Sequence, residues 1–164
     1  MKMNTAYLLT GSNEGDRVAW LQQAMEMIQA DCGKIIQQSA IYQTAAWGIE
    51  DQPDFLNMAL CIETDLPPVE LLQAINKIES ALGRQRTLKW GQRTLDIDIL
   101  FYNNDIINLP QLIIPHPHIE KRRFALVPLN EIVPHLLHPI SHKTITQLLD
   151  ECEDTLEAVK LTNA

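Results

Sequence analysis

Two aspartates two residues apart, Asp96 and Asp98, follow a run of cationic side chains, Arg84, Arg86, Lys89 and Arg93, in the segment RQRTLKWGQRTLDID. In an extended strand, residues two apart project from the same face, so the two carboxylates point together while Ile97 and Ile99 point away. Their backbones then lie about 6.6 Å apart, a span that a pair of divalent ions can bridge. Strands are depleted in Asp, and adjacent like charges on one face repel; a bound cation removes both objections. Guanidinium and ammonium groups upstream supply donors for phosphate oxygens. Aspartates with few protein co-ligands suit Mg²⁺, which keeps waters and takes phosphate oxygens for its other positions. The pattern implies a metal–phosphate complex and an enzyme acting on a nucleotide.

The rest of the chain must carry these groups. Its 164 residues suit one domain with a full core, and 46% hydrophobic residues argue for a folded globule. A net charge of −8 argues against general binding to nucleic acid or to an anionic membrane. Against that acidity, seven of the thirteen basic residues fall in two short runs, Arg84 to Arg93 and Lys121-Arg122-Arg123. A phosphate ligand explains such concentration; two solvated basic loops are the plainer alternative. No apolar run approaches the roughly 20 residues of a membrane span, and the N-terminal stretch turns polar too soon for a signal peptide. Cys32, Cys61 and Cys152 are widely spaced and lack a C-x-x-C pair, which points to reduced packing thiols and a cytoplasmic location.

Periodicity gives the elements. Ala6 to Thr10 reads as a buried strand ended by a turn at Gly11-Ser12-Asn13. Val18, Leu21, Ala24, Met25 and Ile28 mark a helix from Asp16 to about Ala30, stopped by Gly33. Lys34 to Thr44 reads as one second strand, Ala45 to Asp54 as a loop, and Phe55 to Glu63 as a third strand. Pro67-Pro68 opens a second helix with Val69, Leu71, Leu72, Ile75, Ile78 and Leu82 as its stripe and Gly83 as its stop. Thr94 to Tyr102 is the fourth strand, with Leu95, Ile97, Ile99 and Phe101 expected toward the helices and Asp96, Asp98 and Leu100 toward the open side. The order β-α-β-β-α-β predicts an α+β, ferredoxin-like sandwich: an antiparallel sheet, helices on one face, and the other face free for a site. A C-terminal extension adds a short hairpin (105–114), a Pro- and His-rich turn and a short helix near Ile145 to Leu149. Residues 1–164 read as a single domain.

Other constellations say less. Trp90 lies between helix and strand, where it can cap a phosphate site or anchor a loop. His116 and His118 form H-x-H, but a third zinc ligand at suitable spacing is missing, and Arg122 and Arg123 nearby favour a phosphate-facing role. His135, His138 and His142 read as surface or packing residues. Gly11-Ser12-Asn13 with Gly15 matches neither nucleotide-binding glycine motif.

Together, Gly11-Ser12-Asn13, DQPDFLN from Asp51, GRQR from Gly83, WGQRTLDIDIL from Trp90 and PH…RRF from Pro115 to Phe124 resemble the 6-hydroxymethyl-7,8-dihydropterin pyrophosphokinases, in the family's order. The resemblance implies a diphosphokinase of folate synthesis; a monomer is expected because the sequence shows neither a coiled-coil nor a swap element. It would transfer pyrophosphate from ATP to the pterin's hydroxymethyl oxygen and release AMP. It implies two Mg²⁺ ions on Asp96 and Asp98, with Arg84 and Arg93 joining them in catalysis. It assigns Asn76, Glu79, Arg84, Trp90, Arg93, Ile99, His116 and Arg122 to the nucleotide side. Thr44, Ala45, Trp47, Phe55, Asn57, Asp96 and Phe124 go to the pterin side, with the two Phe rings flanking the bicycle. ATP and the pterin are the partners implied; nucleic acid and membrane are not. The chain departs from the family pattern at Gln92, Ala45 and Ala46, where prolines are common, and at His118, where Asp is frequent. Two other readings compete: a two-metal nucleotidyl transferase, which would release pyrophosphate, and an RNA-binding module. Acidity and 5% aromatic content disfavour the RNA-binding module.

Overall fold

The apolar and β-branched runs of the sequence pair into one antiparallel sheet in the computed structural model, which describes residues 3–45, 54–82 and 95–161. Strand β1 (Asn4–Ser12) pairs along its length with β4 (Phe55–Thr64), and its other edge pairs with β5 (Asp96–Tyr102). Strands β2 (Lys34–Gln38) and β3 (Tyr42–Thr44) both lie on β4, and the two-residue β8 (Val159–Lys160) pairs with β3. The sheet order is β5-β1-β4-β3-β8, with β2 off that path beside β4. Strands β6 (Ile107–Leu109) and β7 (Leu112–Ile114) form a separate antiparallel pair.

Helix α1 (Arg17–Asp31) begins where the Asp16 carboxylate accepts the Ala19 N–H at 3.2 Å. It buries Leu21, Ala24 and Ile28, one face at helical spacing. Helix α2 (Pro68–Leu82) buries Leu71, Ile75, Ile78 and Glu79. These helices pack on one sheet face against Leu8, Leu56, Leu60, Ile62, Ile97 and Ile99.

Sequence and structure differ in several places. The expected strand from Lys34 to Thr44 is broken at Ser39, whose hydroxyl accepts the Ala59 N–H at 2.9 Å, while the Glu131 carboxylate takes the next N–H, of Ala40, at 3.1 Å. Side chains remote along the chain from their partners take these two backbone N–H groups at the break. Gly11 and Ser12 extend β1 instead of turning; the turn waits for Gly15, at φ +70°. Phe101 faces away from α1 and α2, because a register shift between Tyr7 and Leu8 leaves Leu100 as an extra residue and brings Tyr102 to the helical side.

The second sheet face is not left free. Helix α3 (Arg123–Ile132) and helix α4 (Ile145–Glu151) cover part of it, burying Ala125, Leu126, Leu129, Ile145 and Leu148 against Leu9, Ala59, Leu100 and Phe101. Helix α3 contains Pro128, which removes the N–H that would bond to the Phe124 carbonyl, so its pattern reads as a turn. Its C-terminal end is fixed to the sheet by the Tyr42 hydroxyl, which donates to the Glu131 carboxylate at 2.7 Å. Burial and that carboxylate push the Tyr42 phenol up to about 12. His138 is a packing residue, edge-on to the Phe101 ring, with centroids 5.8 Å apart.

Candidate active site

The sheet face left uncovered beside α3 holds a cavity of about 200 Å³ lined by Leu9, Gly11, Thr44, Ala45, Phe55, Asn57, Asp96, Asp98, Arg122 and Phe124. Register explains the gathering. On neighbouring strands Asp96 lies opposite Gly11, which lies opposite Asn57; Asp98 lies opposite Leu9; and Thr44 lies opposite Phe55. Residues directly across an antiparallel ladder share a face, so one surface collects the two carboxylates, the amide, the hydroxyl and a ring. The second ring comes from α3, whose first turn carries Phe124, with the Arg122 guanidinium 5.7 Å from its centroid.

Two features make this pocket polar at its base. The Asn57 amide nitrogen donates to the Thr10 carbonyl at 3.2 Å, so the nitrogen end of the amide is turned toward β1. A Cβ on Gly11 would collide with that same nitrogen, so only glycine lets the amide lie there. Thr44 Oγ1 is buried with no hydrogen-bond partner, a polar group that a ligand could satisfy.

A second cavity of about 270 Å³ lies across β5, lined by Leu72, Ile97, Asp98, Ile99, the hairpin residues Pro110 to Ile113, His116 and Pro117. Asp98 borders both. His116 Nδ1 accepts the His118 N–H at 3.3 Å, which leaves the ring proton on Nε2. Burial, then Arg122 and His118, lower the His116 pKa to about 4, so the ring is a neutral donor at physiological pH.

Asp96 and Asp98 are partly exposed, and among the described residues no cluster of three His, Cys, Asp or Glu side chains could hold a metal ion. Two carboxylates open to solvent between two cavities fit a hard cation that completes its shell with water and ligand oxygens. A larger groove of about 900 Å³ lies between α3 and the end of α4. It shares Arg122 and Phe124 but borders neither aspartate, and its mixed walls include the ion pair of Lys143 with Glu151 at 2.5 Å. Chemistry, not size, singles out the smaller pair.

Of the residues expected on the nucleotide side, Ile99 and His116 line the second cavity, whereas Arg122 sits at the first. Asn76 is exposed on α2 and borders neither. Glu79 is buried, and its Oε2 accepts the Ile97 N–H, between the two aspartates, at 2.8 Å. Trp47, Arg84, Trp90 and Arg93 lie outside the described residues. Sequence reasoning missed Leu9 and Gly11 as lining residues, and it missed the hairpin as a wall. Alternation within β1 was a usable signal for Leu9 and Gly11; nothing local marks the hairpin.

The model of the 7,8-dihydro-6-hydroxymethylpterin-pyrophosphokinase family matches residues 7–134. A relative from Aquifex aeolicus, named 2-amino-4-hydroxy-6-hydroxymethyldihydropteridine pyrophosphokinase, is 43% identical over 149 residues, covering 91% of this chain and 92% of its own. A Bacillus subtilis relative of the same name is 47% identical over 130 residues, 79% of this chain and 78% of its own. Among solved structures, Plasmodium falciparum HPPK-DHPS with pterin and p-hydroxybenzoate superposes with a TM-score of 0.74 at 20% identity. That match covers 92% of this chain and 43% of the longer one, and at such identity it supports the fold alone. By the family match and by the extent of these two relatives, the chain belongs to the 7,8-dihydro-6-hydroxymethylpterin-pyrophosphokinase family.

Proposed function

We propose that the protein carries out its family's reaction, transfer of pyrophosphate from ATP to the hydroxymethyl group of 6-hydroxymethyl-7,8-dihydropterin in folate synthesis, across Asp96 and Asp98. The observation that carries this reading is the position of Asp98, which lines both cavities. A transferase must bring acceptor and donor to one point, and here two cavities meet at an acidic strand.

The 200 Å³ cavity is below the roughly 300 Å³ at which drug-sized pockets begin, which suits one small bicycle. Phe55 and Phe124 would stack on its faces, while Asn57 and Thr44 would bond its polar edge. The hairpin cavity would take the nucleotide, with Leu72 and Ile99 against the base and the neutral His116 donating Nε2–H to a phosphate oxygen. Arg122, between the ring pocket and the His116 side, would offset charge on the phosphates. From the family resemblance, Arg84 and Arg93 would add guanidinium donors, and Trp47 and Trp90 would close the pterin and nucleotide sides.

Asp96 and Asp98 would hold two Mg²⁺ ions. When bound, such ions neutralise phosphate charge and acidify a coordinated hydroxyl. The residues themselves act by positioning: phosphoryl transfer asks little covalent chemistry of the protein. Glu79, bonded to the peptide N–H between the aspartates, would hold that strand in place. We read the β-α-β-β-α-β order as a ferredoxin-like domain with a C-terminal extension that carries His116, Arg122 and Phe124.

Incubation with MgATP and the reduced hydroxymethylpterin tests the reading. AMP and a diphosphorylated pterin are expected; ADP would establish ordinary kinase chemistry, and released pyrophosphate would establish nucleotidyl transfer.

A further inference from the structure

Thr44 and Phe55, two walls of the ring pocket, form the last pair of the β3–β4 ladder. Ladder ends fray unless something outside the ladder holds them. Here the holder is Asp54, the residue before Phe55. The Arg17 guanidinium, at the first position of α1, donates from Nη1 to the Asp54 carbonyl at 2.7 Å. The Gln43 amide, beside Thr44 on β3, donates from Nε2 to the Asp54 carboxylate at 2.8 Å. Neither Arg17 nor Gln43 lines the cavity.

The two bonds fix different parts of one residue. Arg17 holds the peptide that leads into Phe55, which sets the direction from which its ring enters the pocket. Gln43 ties the same residue to the strand carrying Thr44, which sets the gap between the two walls. Both bonds have one charged partner, the stronger class of hydrogen bond. Arg17 is only half-buried and α1 is packed independently through Leu21, Ala24 and Ile28, so the helix does not depend on this contact.

We infer that Arg17 and Gln43 are positioning residues for the pterin, acting through Asp54 to hold Phe55 and Thr44 at the width of one flat ring. The inference rests on the ring pocket being the pterin site. It predicts an effect confined to one of the two substrates, because the nucleotide cavity shares no wall with Asp54.

The test compares the full-length protein with Arg17→Ala, Arg17→Lys and Gln43→Ala. Three quantities are read: affinity for hydroxymethyldihydropterin with Mg²⁺ and a non-hydrolysable ATP analogue present, affinity for that analogue alone, and melting temperature. Arg17→Ala should weaken pterin binding about tenfold, the scale of one charged hydrogen bond. Analogue affinity should stay within about twofold, and Arg17→Lys should recover part of the loss. Gln43→Ala should follow the same pattern with a smaller loss, and it carries the test if Arg17→Ala does not fold. Unchanged pterin affinity in folded Arg17→Ala and Gln43→Ala would overturn the inference, as would parallel losses for both ligands that track the melting temperature. A parent protein that binds the analogue but no pterin would overturn the ring-pocket assignment itself, and this inference with it.

Discussion

The two cavities that meet at Asp98 are built by opposite means. The ring pocket takes most of its walls from ladder positions, on strands that pair over nine residues between β1 and β4. The hairpin cavity takes four of its ten lining residues from the three-residue strand β7 and the turn before it, with Ile113 45% exposed. Walls set by a long ladder move little, so the first cavity can select by shape. Walls on a short hairpin yield, so the second must select by charge and hydrogen bonds. The comparison predicts that substitutions will separate by substrate, except at the residue the cavities share.

That exception should give the largest effect. On the proposed reading, Asp98→Ala removes a carboxylate from the point where the two cavities meet, and kcat should fall at least about a hundredfold, the scale for losing one charge-stabilising group. Asp96→Ala should cost a similar factor in kcat while leaving pterin affinity nearly intact. Steady-state rates at saturating substrates, over a Mg²⁺ titration, read both. Full activity in either variant would remove that aspartate from the reaction.

Next should come Gly11→Ala. The added methyl has to displace the Asn57 amide or push β1 from β4, and the ladder resists the second. Pterin affinity should drop about tenfold or more, for one misplaced hydrogen-bonding group, with the ATP analogue unaffected. Equal losses for both ligands would mean that the strain spreads through the sheet and that the two cavities are not independent.

How much of this was legible depended on whether the signal was local. The alternation of Asp96, Ile97, Asp98 and Ile99 carries its facing pattern in the residues themselves, and the structure keeps it up to Leu100. Phe101 breaks it, because a bulge is decided by how β5 meets β1 and leaves no mark on β5 alone. Gly11 looks like a turn residue until Asn57 is placed beside it, forty-six positions away. Helix α3 hid behind Pro128, although Ala125, Leu126 and Leu129 have helical spacing. Phe124 was recognised only by resemblance; the reason it reaches the pocket is the docking of α3, through buried Ala125, Leu126 and Leu129 and the distant Tyr42–Glu131 bond. Glu79 was assigned to the nucleotide side, yet one of its oxygens holds the β5 backbone, a partner that helical periodicity does not reveal.

On the hairpin side the effects should be smaller and of opposite selectivity. Ile113→Ala trims a half-exposed apolar contact, so nucleotide affinity should fall by only about two- to fivefold, with pterin affinity unchanged. A tenfold loss would show a wall as fixed as the ladder's, and the contrast between the cavities would fail.

The smallest effect concerns His116 and appears in stability before it appears in rate. Its folded pKa, near 4, lies below the usual 6.5 because the ring is buried beside Arg122 and His118, with Glu120 only partly opposing them. The folded protein therefore binds fewer protons at this site than the unfolded chain does. Stability from the neutral ring is fully present above about pH 6.5 and is lost as pH falls toward 4. His116→Asn removes the titration but keeps a polar side chain. Between pH 7 and pH 4.5 the parent's melting temperature should therefore fall more steeply than the variant's. Carboxylates titrate in the same window, but they do so in both proteins and cancel in the difference. Parallel curves would mean that the ring gains its proton near its ordinary pKa of 6.5 without penalty, and only below about that pH would the hairpin cavity then offer an imidazolium in place of a neutral donor.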